Sequence, residues 1–454
     1  MLNTKLEIAK KQPSPIFFGI DHLYKIKTDQ LSFYKKLNEK YGDIVKLRLG
    51  PYRTWLLFHP DPIEELLTRK WEKFIRFEKL TNVVAQWNGD SLLLAEGNAW
   101  RDRRRKVLPA FQTKRLPTYG NAAVHHANRL LQTFSHQAVK QNTITINTDA
   151  VMARLTLDIA TSTLFGSEPR ENGDEIEEAI QILSDTAFRE STSPITLPDF
   201  LPLKAKRKKL WAMGVMDDLV TGLVNERLQD IQQGGDTERG DLLSMLVEHH
   251  QGDALQIRND AMSLLIAGHE TSGALLSWIF ACLVQNKDVL EKLTAEIDDV
   301  LPDRSPGFED LGKLPYVRAV VEETLRMFPP AYALFIRKAI EDVELCGVRI
   351  SKNDNVQIVP YTIHRMEKWF SSPDTYDPGR FLSEPTWPKY AYLPFGAGPR
   401  VCIGQNFGLM EACLVVATLL REWKPKSMLG EPIPEAKFSL RPQDGLPMVW
   451  EKRI

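Results

Sequence analysis

Cys402 stands alone in the run PFGAGPRVCIG (394–404), where three glycines and two prolines surround one sulfur. No second cysteine or histidine lies within ten residues, a spacing that disfavours a tetrahedral zinc site. A thiolate on haem iron needs only one protein ligand, because the porphyrin supplies four nitrogens. Gly396, Gly398 and Gly404 permit a bulged hairpin whose N–H groups aim at the sulfur and whose backbone approaches a flat ring. The helical pattern IGQNFGLMEACLVVATLLREW begins at Cys402, and a helix N-terminus favours a thiolate. Arg400 has the charge to pair with a haem propionate. The competing reading is a buried structural cysteine in a glycine-rich turn.

A second candidate lies inside an almost wholly apolar run, Asp260 to Gln285, whose middle reads Gly268-His269-Glu270-Thr271-Ser272. A helix there is buried, and its polar centre makes it a core helix rather than a membrane span. Ala267 and Gly268 precede Thr271 by four and three residues and leave a gap beside its hydroxyl. That hydroxyl can instead bond back to the Ala267 carbonyl. Two further pairs have helical spacing: Glu323 with Arg326, and Trp100 with Arg104. Trp100 precedes the charged run RDRRRK (101–106), either a local docking patch or a solvated face.

The elements that must position these groups are mostly helical. Three-to-four apolar spacing recurs from Pro60 onward, after two β-runs about a Gly50-Pro51 turn, so the class is mainly α with small β-sheets. The stretch Gln232 to Asp241 reads as a surface loop, and there is no internal repeat. The chain has 454 residues, 58 Lys plus Arg and 59 Asp plus Glu, so its net charge of −1 gives no global argument for nucleic acid. Four scattered cysteines without a secretory leader fit a reducing compartment. The N-terminal stretch is broken by charge and proline before any membrane span is complete.

Phe395, Gly396, Gly398, Arg400, Cys402 and Gly404 match FGxGxRxCxG, and the chain thereby resembles the cytochrome P450 family. AGHETS (267–272) is similar to that family's oxygen-activating segment, ETLR carries Glu323 and Arg326, and YDPGRF carries Arg380. Gly379 replaces an acidic residue often found there. The resemblance implies one haem domain over 1–454, a large helical lobe with a smaller β-rich one, and no fused reductase. It implies haem b with Cys402 as metal ligand and no other bound cofactor. Trp100, Arg104, Arg337 and Arg400 are its expected propionate contacts, with Ala267, Gly268, Phe395, Gly396 and Gly404 also against the ring. Glu270 and Thr271 are implied as an acid–alcohol pair that delivers protons, and Glu323, Arg326 and Arg380 as a structural network.

The implied activity is a monooxygenase that uses O2 to hydroxylate or epoxidise a lipophilic small molecule. Its electrons come from a separate ferredoxin or flavodoxin with its reductase, docking near RDRRRK, so that Arg103→Glu or added salt slows reduction. Val83, Val84, Trp87, Tyr332, Leu334 and Phe335 fall where family members line the substrate pocket. Such a member is cytoplasmic and prokaryotic, without a transmembrane anchor. A peroxygenase or haem-thiolate isomerase is the alternative, and a haem-based sensor a more distant one. His269 and Ser272 are read as packing or supporting groups, Cys413 as core, and Cys282 and Cys346 receive no role.

Overall fold

The computed structural model describes residues 5–9, 12–138, 142–168, 170–193, 195–234 and 241–453. The loop expected over Gln232–Asp241 falls mostly on residues 235–240, outside the described residues. Helix α1 (Ile20–Tyr41) ends at Gly42, whose φ of +85° lets its N–H cap the Asn38 carbonyl. Strands β1 (Ile44–Leu49) and β2 (Tyr52–Leu57) then pair with Leu49 opposite Tyr52, so Gly50 and Pro51 form the expected two-residue turn. A short α2 (Pro60–Glu64) and β3 (Phe74–Arg76) follow.

The helical part runs α3 (Glu78–Asn88), α4 (Gly97–Val107), α5 (Leu116–Gln137), α6 (Thr148–Phe165), α7 (Gly173–Thr192), α8 (Lys204–Gln232) and α9 (Leu242–His249), with β4 (Thr143–Asn147) before α6. It continues through α10 (Ala254–Gln285), α11 (Lys287–Val300) and α12 (Pro315–Met327). Short strands β5 (Arg337–Ala339), β6 (Val343–Leu345), β7 (Val348–Ile350) and β8 (Asn355–Ile358) precede α13 (Pro360–Ile363) and α14 (Gln405–Glu422). The chain closes with β9 (Trp423–Met428), β10 (Pro434–Ala436), β11 (Leu440–Pro442) and β12 (Pro447–Lys452). The largest sheet has the order β1-β2-β8-β5-β3, with only β2 and β8 parallel, and β4-β12-β9 form a smaller antiparallel one.

Apolar side chains gather into three cores. One joins the C-terminal half of α10 to α5, α12 and α14; another joins its N-terminal half to α3, α7 and α8; the third lies between the large sheet and α1. Helix α10 is long and apolar enough to cross a membrane, yet 78% of its most apolar stretch is buried in the protein, as expected of a core helix. Its Gly273 permits close packing on α6, since a Cβ there would meet Ala153 Cα at 3.1 Å. The polar residues at positions 267–272 fall between the α10 segments of the two helical cores, where apolar packing is interrupted.

Candidate active site

The Cys402 loop is held by its own backbone. The Cys402 N–H donates to the Phe395 carbonyl at 3.0 Å, Val401 to Gly398 at 3.0 Å and Gly396 to Leu393 at 3.1 Å. Gly398, at φ +71°, lies so close to its neighbour that a Cβ would stand 2.0 Å from the Leu67 carbonyl oxygen; no other residue fits. The Gly404 N–H points at the sulfur, and the Arg104 charge also favours the thiolate, but burial outweighs both and pushes the thiol up. A metal cation beside the sulfur would favour the thiolate further.

A cavity of about 660 Å³ separates this loop from α10. Cys402 lines one side, and Ala267, Gly268 and Thr271 line the other. Ala267, Thr271 and Cys402 turn open surface to this internal cavity, so they are enclosed by protein yet free of packing there, whereas Ile266, His269 and Glu270 are packed and buried. A Cβ at Gly268 would meet nothing within 4 Å. The Thr271 hydroxyl donates to the Ala267 carbonyl at 2.8 Å, the local bond common within helices, which leaves its oxygen lone pairs facing the cavity. The gap beside Thr271 is thus open space bounded by a single sulfur across it.

One flank of the cavity is strongly cationic. Arg76, Arg337 and Arg400 all line it, while Asp and Glu are absent among the described lining residues. Arg400 donates to the Ala95 carbonyl at 2.9 Å and to Glu96, and its guanidinium lies 4.1 Å from the centre of the Trp100 ring. Arg76 approaches the same Glu96 at 3.6 Å, and its Nη1 is buried without a hydrogen-bond partner. Desolvation first, then mutual repulsion, lowers Arg337 to about 10 and Arg400 to about 9. Three inward guanidiniums, only two of which contact the single nearby carboxylate, fit a bound dianion, which matches the two propionates of a haem.

Two expected propionate contacts are placed differently. Trp100 and Arg104 do not line the cavity: Trp100 supports Arg400, and Arg104 turns to the Val401 carbonyl at 2.7 Å, bracing the cysteine loop from outside. Arg76 was missed, since a lone arginine in the strand-like stretch FIRF carries no spacing signal. The charged run beyond Trp100 is also divided. Arg103 is tied to Asp90 at 2.6 Å and to Gln256 at 2.9 Å and is mostly buried, whereas Arg105 is 80% exposed. Arg103 is therefore a structural residue, and a docking patch must rest on its neighbours.

The expected Glu323 network is present in geometry. Arg326 grips Glu323 through Nε at 2.7 Å and Nη2 at 2.8 Å, and Arg380 approaches from the far side at 3.3 Å. Arg326 also donates to the His364 carbonyl at 2.8 Å. His364, missed from sequence, receives the Leu393 N–H on Nε2 at 2.8 Å and contacts the Arg326 carbonyl through Nδ1 at 3.1 Å. Burial and the adjacent Arg326 hold its pKa down to about 3, so it stays neutral and ties the network to the start of the cysteine loop.

Adjacency in sequence does not bring Glu270 and Thr271 together in space. Thr271 faces the cavity, whereas Glu270 is buried outside its lining and accepts from Ser184 Oγ at 2.7 Å and Ser439 Oγ at 2.8 Å. Successive helical residues point about 100° apart, which separates the two groups. Both serines line the cavity, so the carboxyl reaches it through hydroxyls. A second acid, Glu411 on α14, does the same through Ser272, at 2.5 Å. Burial raises Glu411 to about 8 and also raises Glu270. The signal for Glu411 was one acid within the apolar helix FGLMEACLVVATLL.

Of the six pocket candidates, Val84, Trp87, Tyr332, Leu334 and Phe335 line the cavity. Val83 does not; it packs into the second helical core one residue round the helix. Leu264, Phe188 and Phe438 complete the apolar wall, the last stacked edge-on with Phe335. His269 is buried between Glu177 at 2.5 Å and Thr156 at 3.1 Å, and Cys413 is core.

Comparison with known proteins agrees with this geometry. The cytochrome P450 family model matches residues 10–446. The chain is 32% identical to cyclooctatin synthase of Streptomyces melanosporofaciens over 89% of its length and 87% of the relative's. It is 31% identical to cyclooctat-9-en-7-ol 5-monooxygenase of the same organism, over 91% and 89% of the two chains. Cytochrome P450 4V2 of Homo sapiens is 29% identical over 95% of this chain and 87% of its own. The chain belongs to the cytochrome P450 family: it is an oxidoreductase of the monooxygenase class, and its cofactor is haem b bound through a cysteine thiolate.

Proposed function

We propose that Cys402 is that thiolate, and that the 454 residues act as one haem domain oxygenating a lipophilic substrate. The carrying observation is the slot itself, with one sulfur facing Ala267, Gly268 and Thr271 across a cavity flanked by Arg76, Arg337 and Arg400. These arginines would hold the propionates, and Gly396, Gly404 and Phe395 would face the ring. Bound haem supplies O2 activation, through which one oxygen atom enters the substrate and the other leaves as water, with two electrons and two protons.

The protein's own work is proton placement and substrate orientation. Thr271 Oγ1, on the cavity wall opposite Cys402, offers its lone pairs to accept and pass a proton. Glu270 acts from behind α10, its proton reaching the cavity through Ser184 or Ser439 rather than directly through Thr271. The aliphatic and aromatic wall excludes water and selects apolar molecules, in line with a relative named for acting on an alkenol.

Electrons arrive from a separate ferredoxin or flavodoxin with its reductase. Helix α4 lies against the cysteine loop through Arg104, so its outward residues Arg101, Arg105 and Lys106 offer a basic docking edge, although each also has an acidic neighbour. Four unbridged cysteines support a reducing, cytoplasmic location. The test is the CO-bound spectrum of the reduced protein: a strongly red-shifted Soret band in the parent, lost in Cys402→Ser while haem content persists. A histidine-like band in the parent would overturn the assignment of Cys402.

A further inference from the structure

The cavity wall also holds a cluster of uncharged polar side chains that neither the haem slot nor the proton route involves. Gln30 and Tyr34 on α1, Tyr332 in the segment after α12, and Asn355 and Gln357 on β8 all line it. Asn355 and Gln357 are alternate residues of one strand, so its two-residue period turns both amides to the same face. All five side chains belong to residues more than nine-tenths buried, and Asn355 is only 1% exposed. Burial raises the Tyr34 hydroxyl to about 12 and raises that of Tyr332 as well, so both stay phenols and the cluster carries no charge.

Hydrogen bonding in this cluster does not close. The Gln30 amide donates to the Tyr34 hydroxyl at 3.0 Å, which in turn donates to Gln357 Oε1 at 3.1 Å. Tyr332 has one hydroxyl hydrogen but two acceptors within reach, Gln30 Oε1 at 3.1 Å and the Lys437 carbonyl at 2.8 Å, so one of them goes short. Asn355 Oδ1 is buried and accepts no hydrogen bond. The amide nitrogens of Asn355 and Gln357 donate to nothing among the described residues. Stranding a buried amide costs as much as losing a hydrogen bond, and a ligand that supplies the missing partner recovers that cost.

We infer that this cluster reads a neutral hydroxyl already present on the lipophilic substrate, which donates to Asn355 Oδ1 and accepts from the Gln357 amide. The inference rests on the monooxygenase reading and narrows its substrate from lipophilic in general to an apolar alcohol. A ketone or an ether accepts but does not donate, so it would leave Asn355 Oδ1 stranded. A carboxylate would meet no cation within the cluster and would set its lone pairs against that oxygen. The substrate must therefore come from an earlier hydroxylation or hydration, and the oxygen added here is a further one.

The test is calorimetric titration of the haem-loaded protein with cyclododecanol and with cyclododecanone, ligands that share one ring and differ only at the oxygen. The parent is expected to bind the alcohol about ten-fold more tightly. Asn355→Leu should bring the two affinities together by weakening only the alcohol, and Gln357→Met should narrow the gap in part. Without ligand, Asn355→Leu should melt no lower than the parent, because a stranded amide has been removed; an amide with a structural role would lower the melting temperature instead. Equal affinities in the parent, a preference that survives Asn355→Leu, a lower melting temperature in that variant, or binding of neither ligand would overturn the inference. The CO-bound spectrum of the same samples separates these failures from failure of the Cys402 assignment, which would show there first.

Discussion

Two arginine clusters in this protein are built on opposite principles. Around Glu323, two guanidiniums share a fully buried carboxylate, and their remaining N–H groups reach the carbonyls of His364, Thr375, Ser371 and Ser372. Around Glu96, Arg76 and Arg400 contact one partly exposed carboxylate, Arg337 lies close enough to feel the other two, and Arg76 Nη1, at 3.6 Å from that carboxylate, makes no hydrogen bond among the described residues. The first cluster is complete without help and serves the fold. The second carries excess charge inside a cavity, which a protein keeps only where a ligand supplies the balance. Completeness of hydrogen bonding, rather than residue type, separates a structural arginine from a binding one.

The largest effect that tests this contrast is Glu323→Gln, which strands two buried cations. It should cost roughly 3–5 kcal/mol and lower the melting temperature of apo- and haem-loaded protein alike. Arg337→Met should behave in the opposite way. Its apoprotein should melt no lower than the parent, because repulsion is relieved, while haem transfer to an acceptor protein quickens about ten-fold. Equal losses in both forms would erase the distinction between the clusters.

The two buried acids beside α10 refine the same lesson at smaller scale. Glu270 has two hydroxyl donors and the Arg441 charge nearby, whereas Glu411 has Ser272 alone. Glu411 rises from the ordinary 4.5 to about 8, so the folded state binds a proton that the unfolded state has released across that range. Stability must therefore fall as pH rises from 4.5 toward 8. Glu411→Gln should flatten that slope, gaining on the parent by a few kcal/mol near pH 8; parallel stability curves would show that Glu411 is charged in the fold. The smallest effect is at the docking edge, where Arg105→Glu should slow reduction by a ferredoxin about two- to three-fold at low salt and not at high salt.

Much of this was legible in sequence wherever a local rule forces a residue choice. Glycines at 396 and 398 adopt positive φ, Gly50 and Pro51 make the hairpin turn, and Glu323 and Arg326 meet because three residues span less than one helical turn. What stayed hidden depends on partners distant in the chain. Arg76 and Arg400 converge on Glu96 only after β3 and the cysteine loop dock, and His364 meets Leu393 across 29 residues. Helical phase also limits inference from adjacency: Val83 and Val84 both pack in the second helical core but only Val84 reaches the cavity wall, and Glu270 is turned away from Thr271. Arg103 belonged to a charge run by composition, but Asp90 and Gln256 claim it.

The uncompensated flank at Arg76, Arg337 and Arg400 reaches beyond catalysis into biogenesis. A newly made chain carries that repulsion until haem arrives, so cofactor capture doubles as the last step of maturation. Chains that wait spend more time open to proteases, and their steady-state abundance then follows haem supply. Cells short of haem should accumulate less of this polypeptide, rather than the same amount in colourless form.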